Sequence, residues 1–129
     1  MPIYNMNQST FFTEGKLGPL ILRNRSIRAA AFEGMSDHHN VTEALVNYHT
    51  AVAKGGVGMS TVAYAAVSKS GLSLPHQLWM RKEIVGDLKK LTDSVHREGA
   101  AVSVQIGHCG NMANGAVTGV RPIAPSGGI

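Results

Sequence analysis

The sequence predicts an α/β fold in which parallel strands alternate with helices. Two runs rich in Val and Ala, at 57–67 and 101–107, have strand character, and an amphipathic helical pattern precedes each of them. A glycine or a glycine pair ends each helical pattern. The 15 glycines exceed the usual share and suit the tight turns of such a fold. Strands that alternate with helices pair in parallel through right-handed crossovers, so a ligand is expected beyond their carboxyl ends.

The first part of the chain is expected to supply a hairpin and one strand. By its length the chain forms one domain, residues 1–129, and residues 1–16 are expected to be irregular. Leu17–Leu22 contains two short apolar runs around a Gly-Pro turn, which predicts a small hairpin. The compact apolar segment Ser26–Phe32 predicts the first strand of the parallel sheet.

Two helices are predicted, one before and one after the second strand in the sequence. Thr42 is a candidate N-cap of the first helix, and the Gly55-Gly56 pair is its candidate end. Its apolar face is predicted to contain Leu45, Tyr48, Ala51 and Val52. The second helix has the clearer pattern, an apolar stripe that consists of Ile84, Val85, Leu88, Leu91 and Val95. A single glycine then ends this helix, and the third strand follows almost at once.

The carboxyl ends of the three predicted strands are the candidate ligand-binding positions. They are Ala29–Phe32, Ala63-Tyr64 and Gln105–His108. The helices are then mostly scaffold. The remainder of the chain is residues 111–129. Small and polar residues come first, and a segment follows that two prolines keep extended, so we expect a loop-like tail there.

Composition and charge exclude several classes of partner. The net charge of +4 comes from dispersed cations, and the densest group, Arg23, Arg25 and Arg28, brackets the first predicted strand. We expect these arginines to be solvated flanks, so no nucleic-acid partner is predicted. The single cysteine excludes an internal disulfide and suits a reducing compartment. No apolar run approaches the ~20 residues of a membrane span, and the N-terminus lacks the pattern of a secretory signal, so a cytoplasmic protein without membrane contact is expected.

Two short motifs suggest chemistry that the rest of the sequence does not support. His38-His39 beside Asp37 suggests a metal, but no second cluster has ligand spacing, so we expect a polar loop and no metal site. Cys109 next to His108 resembles a nucleophile pair only superficially, because adjacent strand residues point to opposite faces. A buried structural thiol is expected instead.

Seven ordered blocks between residues 17 and 129 carry a family resemblance. The blocks are Leu17-Gly18-Pro19-Leu20 with Leu22-Arg23-Asn24-Arg25, Glu33-Gly34-Met35, Gly55-Gly56-Val57-Gly58, Val67-Ser68 with Gly71, Leu91-Thr92-Asp93-Ser94-Val95-His96, Gln105 with His108 and Gly110, and Ile123-Ala124-Pro125-Ser126. In order and spacing they resemble the N-terminal part of the Old Yellow Enzyme family, the FMN-dependent NADH:flavin oxidoreductases. The resemblance implies part of a TIM (β/α)8 barrel, namely an N-terminal hairpin followed by about three parallel βα units.

The resemblance also implies a cofactor site at the strand ends. Ala29, Ala30, Ala31 and Phe32 correspond to family positions under the flavin ring, where small residues let a flat ring approach the backbone. Tyr64 corresponds to a position near the pyrimidine side. Gln105 corresponds to a glutamine whose amide both donates to and accepts from the flavin edge, which a carboxylate cannot do.

His108 corresponds to a wall of the substrate pocket. Each of these residues also has a simpler interpretation. Gln105 suits a solvated strand end, Tyr64 suits core packing, and a histidine at a strand terminus often caps local backbone.

The sequence departs from the family pattern at two positions and in its length. Asn111 stands where the family usually has an arginine, and Phe32 replaces a hydroxyl or thiol that often tunes the flavin. A complete barrel needs about 250 residues. The family's substrate-holding His/Asn pair, its proton-donating tyrosine and its phosphate-binding loops correspond to later positions, so no catalytic residue is assigned here.

The resemblance implies an FMN-dependent oxidoreductase, similar to ene-reductases. In such an enzyme NADH or NADPH reduces the flavin, which passes hydride to a small activated alkene or a similar substrate. The alternative is a non-catalytic half-barrel that acts by self-association, as a homo-oligomer, or by pairing with another barrel. Three parallel strands alone leave open edges and an uncovered face, which favours such association.

Overall fold

The computed structural model describes residues 9–127, which form a hairpin followed by a parallel sheet with helices on one face. The strands are β1 (Gly15–Leu17), β2 (Leu20–Leu22), β3 (Ile27–Arg28), β4 (Met59–Ala66) and β5 (Ala101–Gly107). The helices are α1 (Glu43–Lys54), α2 (Val85–Arg97) and the single turn α3 (Gly115–Thr118). β1 and β2 pair antiparallel, and β3, β4 and β5 pair parallel in that order. The predicted hairpin and parallel βα units are thereby confirmed.

The ends of the chain were predicted to be irregular at 1–16 and loop-like at 111–129. Residues 1–8 and 128–129 lie outside the described part of the structure. Within that part, a 3-10 turn at Thr10–Phe12 precedes β1. The region after residue 111 contains α3, whose N-cap Asn114 accepts from the amide of Ala116 at 3.0 Å. Among the helices of residues 9–127, none is long and apolar enough to cross a bilayer.

Helix α1 begins where the sequence predicts and buries a different stripe. The Thr42 hydroxyl caps it by accepting from the amide of Leu45 at 3.2 Å. The buried residues are Leu45, His49 and Ala53, one per turn, whereas Ala51 is exposed. The predicted face is therefore wrong by part of a turn. His49 takes an interior position because both of its ring nitrogens meet polar groups there, as described below.

Helix α2 packs beside α1 against β4 and β5. A 3-10 turn at Lys82–Ile84 leads into it, so Val85, predicted on the apolar stripe, is 59% exposed. Its outer face carries two ion pairs, Lys89 with Asp93 at 2.6 Å and Lys90 with Asp87 at 2.7 Å. Its inner face joins the main core, which consists of Leu45, Ala53, Val62, Ala65, Leu78, Leu91, Val95 and Ala100.

The first parallel strand is shorter than predicted, because only Ile27–Arg28 of the segment Ser26–Phe32 pairs with β4. Beyond Arg28, side chains take the β4 groups that a longer strand would use. The Arg28 guanidinium donates to the Thr61 carbonyl at 2.7 Å, and the Glu33 carboxylate accepts from the Ala63 amide at 3.1 Å. Residues 29–32 therefore leave the sheet.

Two of the three arginines predicted to be solvated flanks are structural. Nε of Arg23 donates to the Val57 carbonyl at 3.1 Å, Nη1 donates to Glu98 at 2.6 Å, and Nη2 donates to Ala53. One guanidinium thus joins the carbonyl groups that follow α1 and α2. Arg23 is nevertheless exposed, whereas the Arg28 side chain is only 16% exposed, so the predicted solvation is wrong for Arg28.

Gly58 precedes β4 at a close backbone approach. A Cβ at Gly58 would lie 2.5 Å from the Asn24 carbonyl oxygen and 2.9 Å from that of Ser26. We expect Gly58→Ala to lower the free energy of unfolding by about 1–3 kcal/mol, because backbone atoms must shift. Gly86→Ala is the matched control, since its Cβ meets nothing within 4 Å and alanine favours helix α2. Denaturant unfolding of both variants checks this, and equal stabilities would contradict it.

Candidate functional site

The carboxyl ends of β4 and β5 lie side by side. β4 and β5 pair in register to Val62 and Val104, and an irregularity follows before pairing resumes at Ala65 and Ile106. Tyr64 and Gln105 lie within this irregularity. Both line one cleft of about 300 Å³, together with Ile106, Gly107, His108 and Cys109.

The segment after β3 reaches the same place. The ring centroids of Phe32 and Tyr64 are 6.1 Å apart, with the ring planes inclined at 51°. The structure thus brings Phe32, Tyr64 and Gln105 together at one edge of the sheet. Their predicted role as cofactor contacts stays a prediction.

Gln105 points away from the helices. Val62 and Val102 pack toward α1 and α2, whereas the hydroxyls of Thr61 and Ser103 meet at 2.9 Å on the opposite face. Because side chains alternate along a strand, Gln105 shares the face of Ser103. Its side chain is exposed and has no hydrogen-bond partner within residues 9–127. The amide can therefore donate to and accept from a ligand.

The alanine run presents backbone rather than side chain. Ala29 and Ala31 are exposed and Ala30 is half-buried, and their methyl groups add little bulk. Within the described residues, the backbone amides of Ala30, Ala31 and Phe32 donate no hydrogen bond, while the Ala31 carbonyl accepts from Arg28 at 3.2 Å. A flat ligand can approach these free amides closely.

Tyr64 belongs partly to the cleft and partly to the packing beneath it. Its hydroxyl lies 2.7 Å from the Ser73 hydroxyl, and the Cys109 thiol lies 3.9 Å from it. The loop that follows β4 therefore fixes the ring, which is half-buried. Cys109 is also half-buried and lies beyond the end of β5, so the buried thiol predicted from strand alternation is wrong in both respects.

His108 lines the cleft and also caps local backbone. Its Nδ1 accepts from the amide of Gly110 at 3.0 Å, so Nε2 carries the proton toward the Ser70 hydroxyl at 3.1 Å. A Cβ at Gly71 would lie 2.7 Å from the imidazole, which explains the glycine there. A second cleft of about 300 Å³ begins at His108 and runs past Gly110, Ile123, Ala124 and Pro125.

The His38-His39 pair forms a tight turn. Both residues have positive φ angles, 46° and 63°, and the amide of Asn40 donates to Asp37 at 2.9 Å. The His39 ring contacts the Gln77 carbonyl at 2.9 Å, whereas the His38 ring is 89% exposed. Within residues 9–127, no three His, Cys, Asp or Glu side chains come close enough together to hold a metal ion.

Sequence reasoning missed a buried ionic cluster behind the alanine run. The Glu33 side chain is 4% exposed, and its Oε1 lies 3.2 Å from Nη1 of Arg28 and 3.2 Å from Nε2 of His49. The His49 ring is fully buried, with Nδ1 2.8 Å from the Ser60 hydroxyl. The signal available in the sequence was the pair of charged residues, Arg28 and Glu33, at the two ends of the apolar run Ala29–Phe32.

The environment of Glu33 favours its ionised form. Burial by itself raises the pKa of the Glu33 carboxyl, but contact with His49 and the hydrogen bond from the Ala63 amide lower it, and the lowering prevails. The pKa therefore lies below its usual value near 4.5, and the cluster contains a buried carboxylate at neutral pH.

A parallel βα sheet with an open cleft at its carboxyl edge is the arrangement expected of a segment of a (β/α)8 barrel. The chain belongs to the NADH:flavin oxidoreductase / NADH oxidase family, whose family model matches residues 10–126. A 4,4'-dithiodibutanoate disulfide reductase from Rhodococcus erythropolis is 44% identical over 117 residues. That match covers 91% of this chain and 29% of the relative, so the chain spans less than a third of that protein's length.

Solved structures share this fold. An old yellow enzyme homologue from Zymomonas mobilis superposes with a TM-score of 0.83 at 24% identity, over 91% of this chain and 33% of that one. A 2-naphthoyl-CoA reductase superposes with a TM-score of 0.80 at 26% identity, over 86% of this chain and 17% of that one. The predicted family and the partial-barrel fold are therefore both confirmed.

Proposed function

We propose that this chain forms the flavin-facing N-terminal part of an FMN-dependent NAD(P)H oxidoreductase acting on a small electrophilic substrate. One observation carries the proposal. Phe32, from the segment after β3, lies with Tyr64 and Gln105 of β4 and β5 at one edge of the sheet, beside free backbone amides. The edge of a flavin ring carries both donors and acceptors, and its faces are flat and apolar.

The residues present fit such a ring. The amides of Ala30, Ala31 and Phe32 have no partner within the described residues and would donate to ring acceptors. The Gln105 amide would pair with a ring edge, because it is exposed and can donate and accept together. Tyr64, held by Ser73, would border the ring.

The chain's own residues would bind and orient the flavin ring, and His108 would form a wall of the substrate pocket. FMN, when bound, supplies the hydride chemistry between NAD(P)H and the substrate. An activated alkene is the proposed substrate class. The disulfide named for the 44% identical relative is the competing class, and NADPH or NADH consumption with each substrate discriminates between them. The single cysteine suits a cytoplasmic location, which we also propose.

Loss of the Gln105 amide is expected to weaken FMN binding. We expect Gln105→Leu to raise the dissociation constant by about 5- to 150-fold, because a flavin edge group loses its partner at a cost of about 1–3 kcal/mol. Quenching of FMN fluorescence on titration with a complete barrel that contains these residues measures this. Asn47→Leu, the same kind of change on the exposed outer face of α1, is the control and should leave the constant unchanged.

Two outcomes of this titration would be adverse. If a complete barrel that contains these residues leaves FMN fluorescence unchanged, the proposal that these strand ends hold the ring is wrong. If FMN binds and Gln105→Leu binds equally well, Gln105 is removed from the site while the rest stands.

The non-catalytic alternative rests on exposed apolar groups of the open sheet. Ile27 is 46% exposed and Ile106 is 58% exposed, at the two edges of the parallel sheet. Self-association would cover them. A colourless oligomer in sedimentation velocity would favour this alternative, and a yellow protein would favour the first proposal.

A further inference from the structure

The cluster behind the alanine run determines where the sheet stops. β3 pairs with β4 at Ile27 with Met59 and at Arg28 with Ser60. If this parallel register continued, Ala30 would donate to the Thr61 carbonyl, and the Ala63 amide would donate to Ala30. Ala29–Phe32 has the composition for that, since it is apolar and contains neither glycine nor proline.

Two charged side chains occupy both of those β4 groups instead. Nη1 of Arg28 donates to the Thr61 carbonyl at 2.7 Å. The Ala63 amide donates to the two oxygens of Glu33, at 3.1 and 3.2 Å. The strand loses its next two ladder bonds to these side chains, and the alanine backbone is left free.

Basic groups surround Glu33 in this position. Arg28 and His49 both contact Oε1 at 3.2 Å, and the Ser60 hydroxyl fixes the far side of the His49 ring at 2.8 Å. A buried carboxylate needs such compensation, because ionised groups are costly to remove from water. The cluster ties the segment after β3 to α1 and to β4.

We propose that Glu33, with Arg28, is a positioning residue that keeps Ala29–Phe32 detached from β4 so that its backbone amides can meet the flavin. The part concerning flavin rests on the function proposed above. The detachment itself does not, since it concerns hydrogen bonds of the protein alone. Neither Glu33 nor Arg28 has to touch the cofactor for this role.

Amide hydrogen exchange by NMR tests the detachment. The double variant Arg28→Met/Glu33→Met removes both charges, so no buried charge is left unpaired and the fold is expected to survive. We expect the Ala30 amide to exchange at least about tenfold more slowly in this variant, because the ladder extends and protects it. A merely stabilising role for the pair predicts the reverse, faster exchange across the sheet.

The matched control is Arg25→Met/Glu14→Met, which makes the same changes at two exposed positions. It should leave Ala30 exchange unchanged. In a folded Arg28→Met/Glu33→Met variant, unchanged or faster exchange at Ala30 overturns the proposal. The wild-type chain provides an independent check, because a protected Ala30 amide there also overturns it whether or not the variant folds.

FMN titration of the same variants tests the consequence. We expect the Arg28→Met/Glu33→Met variant to bind FMN about tenfold or more weakly than the wild type, since ladder formation removes a donor from the ring. Slower Ala30 exchange with unchanged FMN affinity supports the detachment and overturns its flavin role. If the wild type binds no FMN, the proposed function fails, and the exchange experiment still decides the role of Glu33.

Discussion

Replacing Glu33 alone with alanine is expected to lower the free energy of unfolding by about 3–5 kcal/mol, the usual cost of breaking a buried ion pair. The change leaves the 16% exposed Arg28 guanidinium without its carboxylate and removes the acceptor of the Ala63 amide. His49, fully buried, loses the neighbour of its Nε2. Chemical denaturation followed by circular dichroism measures the difference.

Glu14→Ala is the control for this substitution, because Glu14 is exposed. It should change the unfolding midpoint little. The charge-neutral Arg28→Met/Glu33→Met variant should recover much of the loss, because the main penalty is the unpaired charge that the single variant leaves behind. A Glu33→Ala variant as stable as Glu14→Ala would show that the cluster contributes nothing to folding.

The stability of the wild type should depend on pH through the same carboxyl. The pKa of Glu33 is below its usual value near 4.5 in the folded chain, so the unfolded chain binds the proton more readily. The stabilisation is thus complete above about pH 4.5 and is lost as the pH falls through the folded pKa. Glu33→Ala should show a smaller loss over that range, and parallel pH profiles for the two chains would contradict this.

The hairpin, α1, α2, β4 and β5 were predictable because each has its own local signal. These signals are Thr42 as N-cap, the glycines after each helix and the valine content of the strands. Each of them is contained within a few residues of sequence. The length of the first strand was not predictable in this way. Ser26–Phe32 has a strand's composition, but its pairing depends on Thr61 and Ala63, which lie 30 or more residues later in the chain and are occupied by side chains.

The candidate site was likewise predictable only where local signals and strand order determine it. Parallel strands bring their carboxyl ends to one edge, so the proximity of Tyr64 and Gln105 follows from the order of the elements. The ionic cluster does not follow, because Glu33, His49 and Ser60 come from a loop, a helix and a strand with no shared motif. Nothing in the local sequence distinguishes His49 from its helical neighbours, and only its burial between Glu33 and Ser60 does.

Leu45 lies in the core one helical turn before His49, and its truncation is the second large effect that we expect. Its side chain is 1% exposed on the face of α1 that packs on Val62 and Ala65 of β4. Leu45→Ala should lower the free energy of unfolding by about 2–5 kcal/mol, because the removed atoms leave a cavity in addition to the lost burial.

Leu88→Ala is the matched comparison. Leu88 is half-buried on α2 and borders an open apolar groove of about 210 Å³, so its neighbours are already partly hydrated. We expect its cost to be clearly smaller, because less area leaves water at that position on folding. Denaturant midpoints of the two variants check the order. A Leu88→Ala cost equal to that of Leu45→Ala would mean that the groove beside β5 is closed in solution, and hence that another surface covers the sheet edge there.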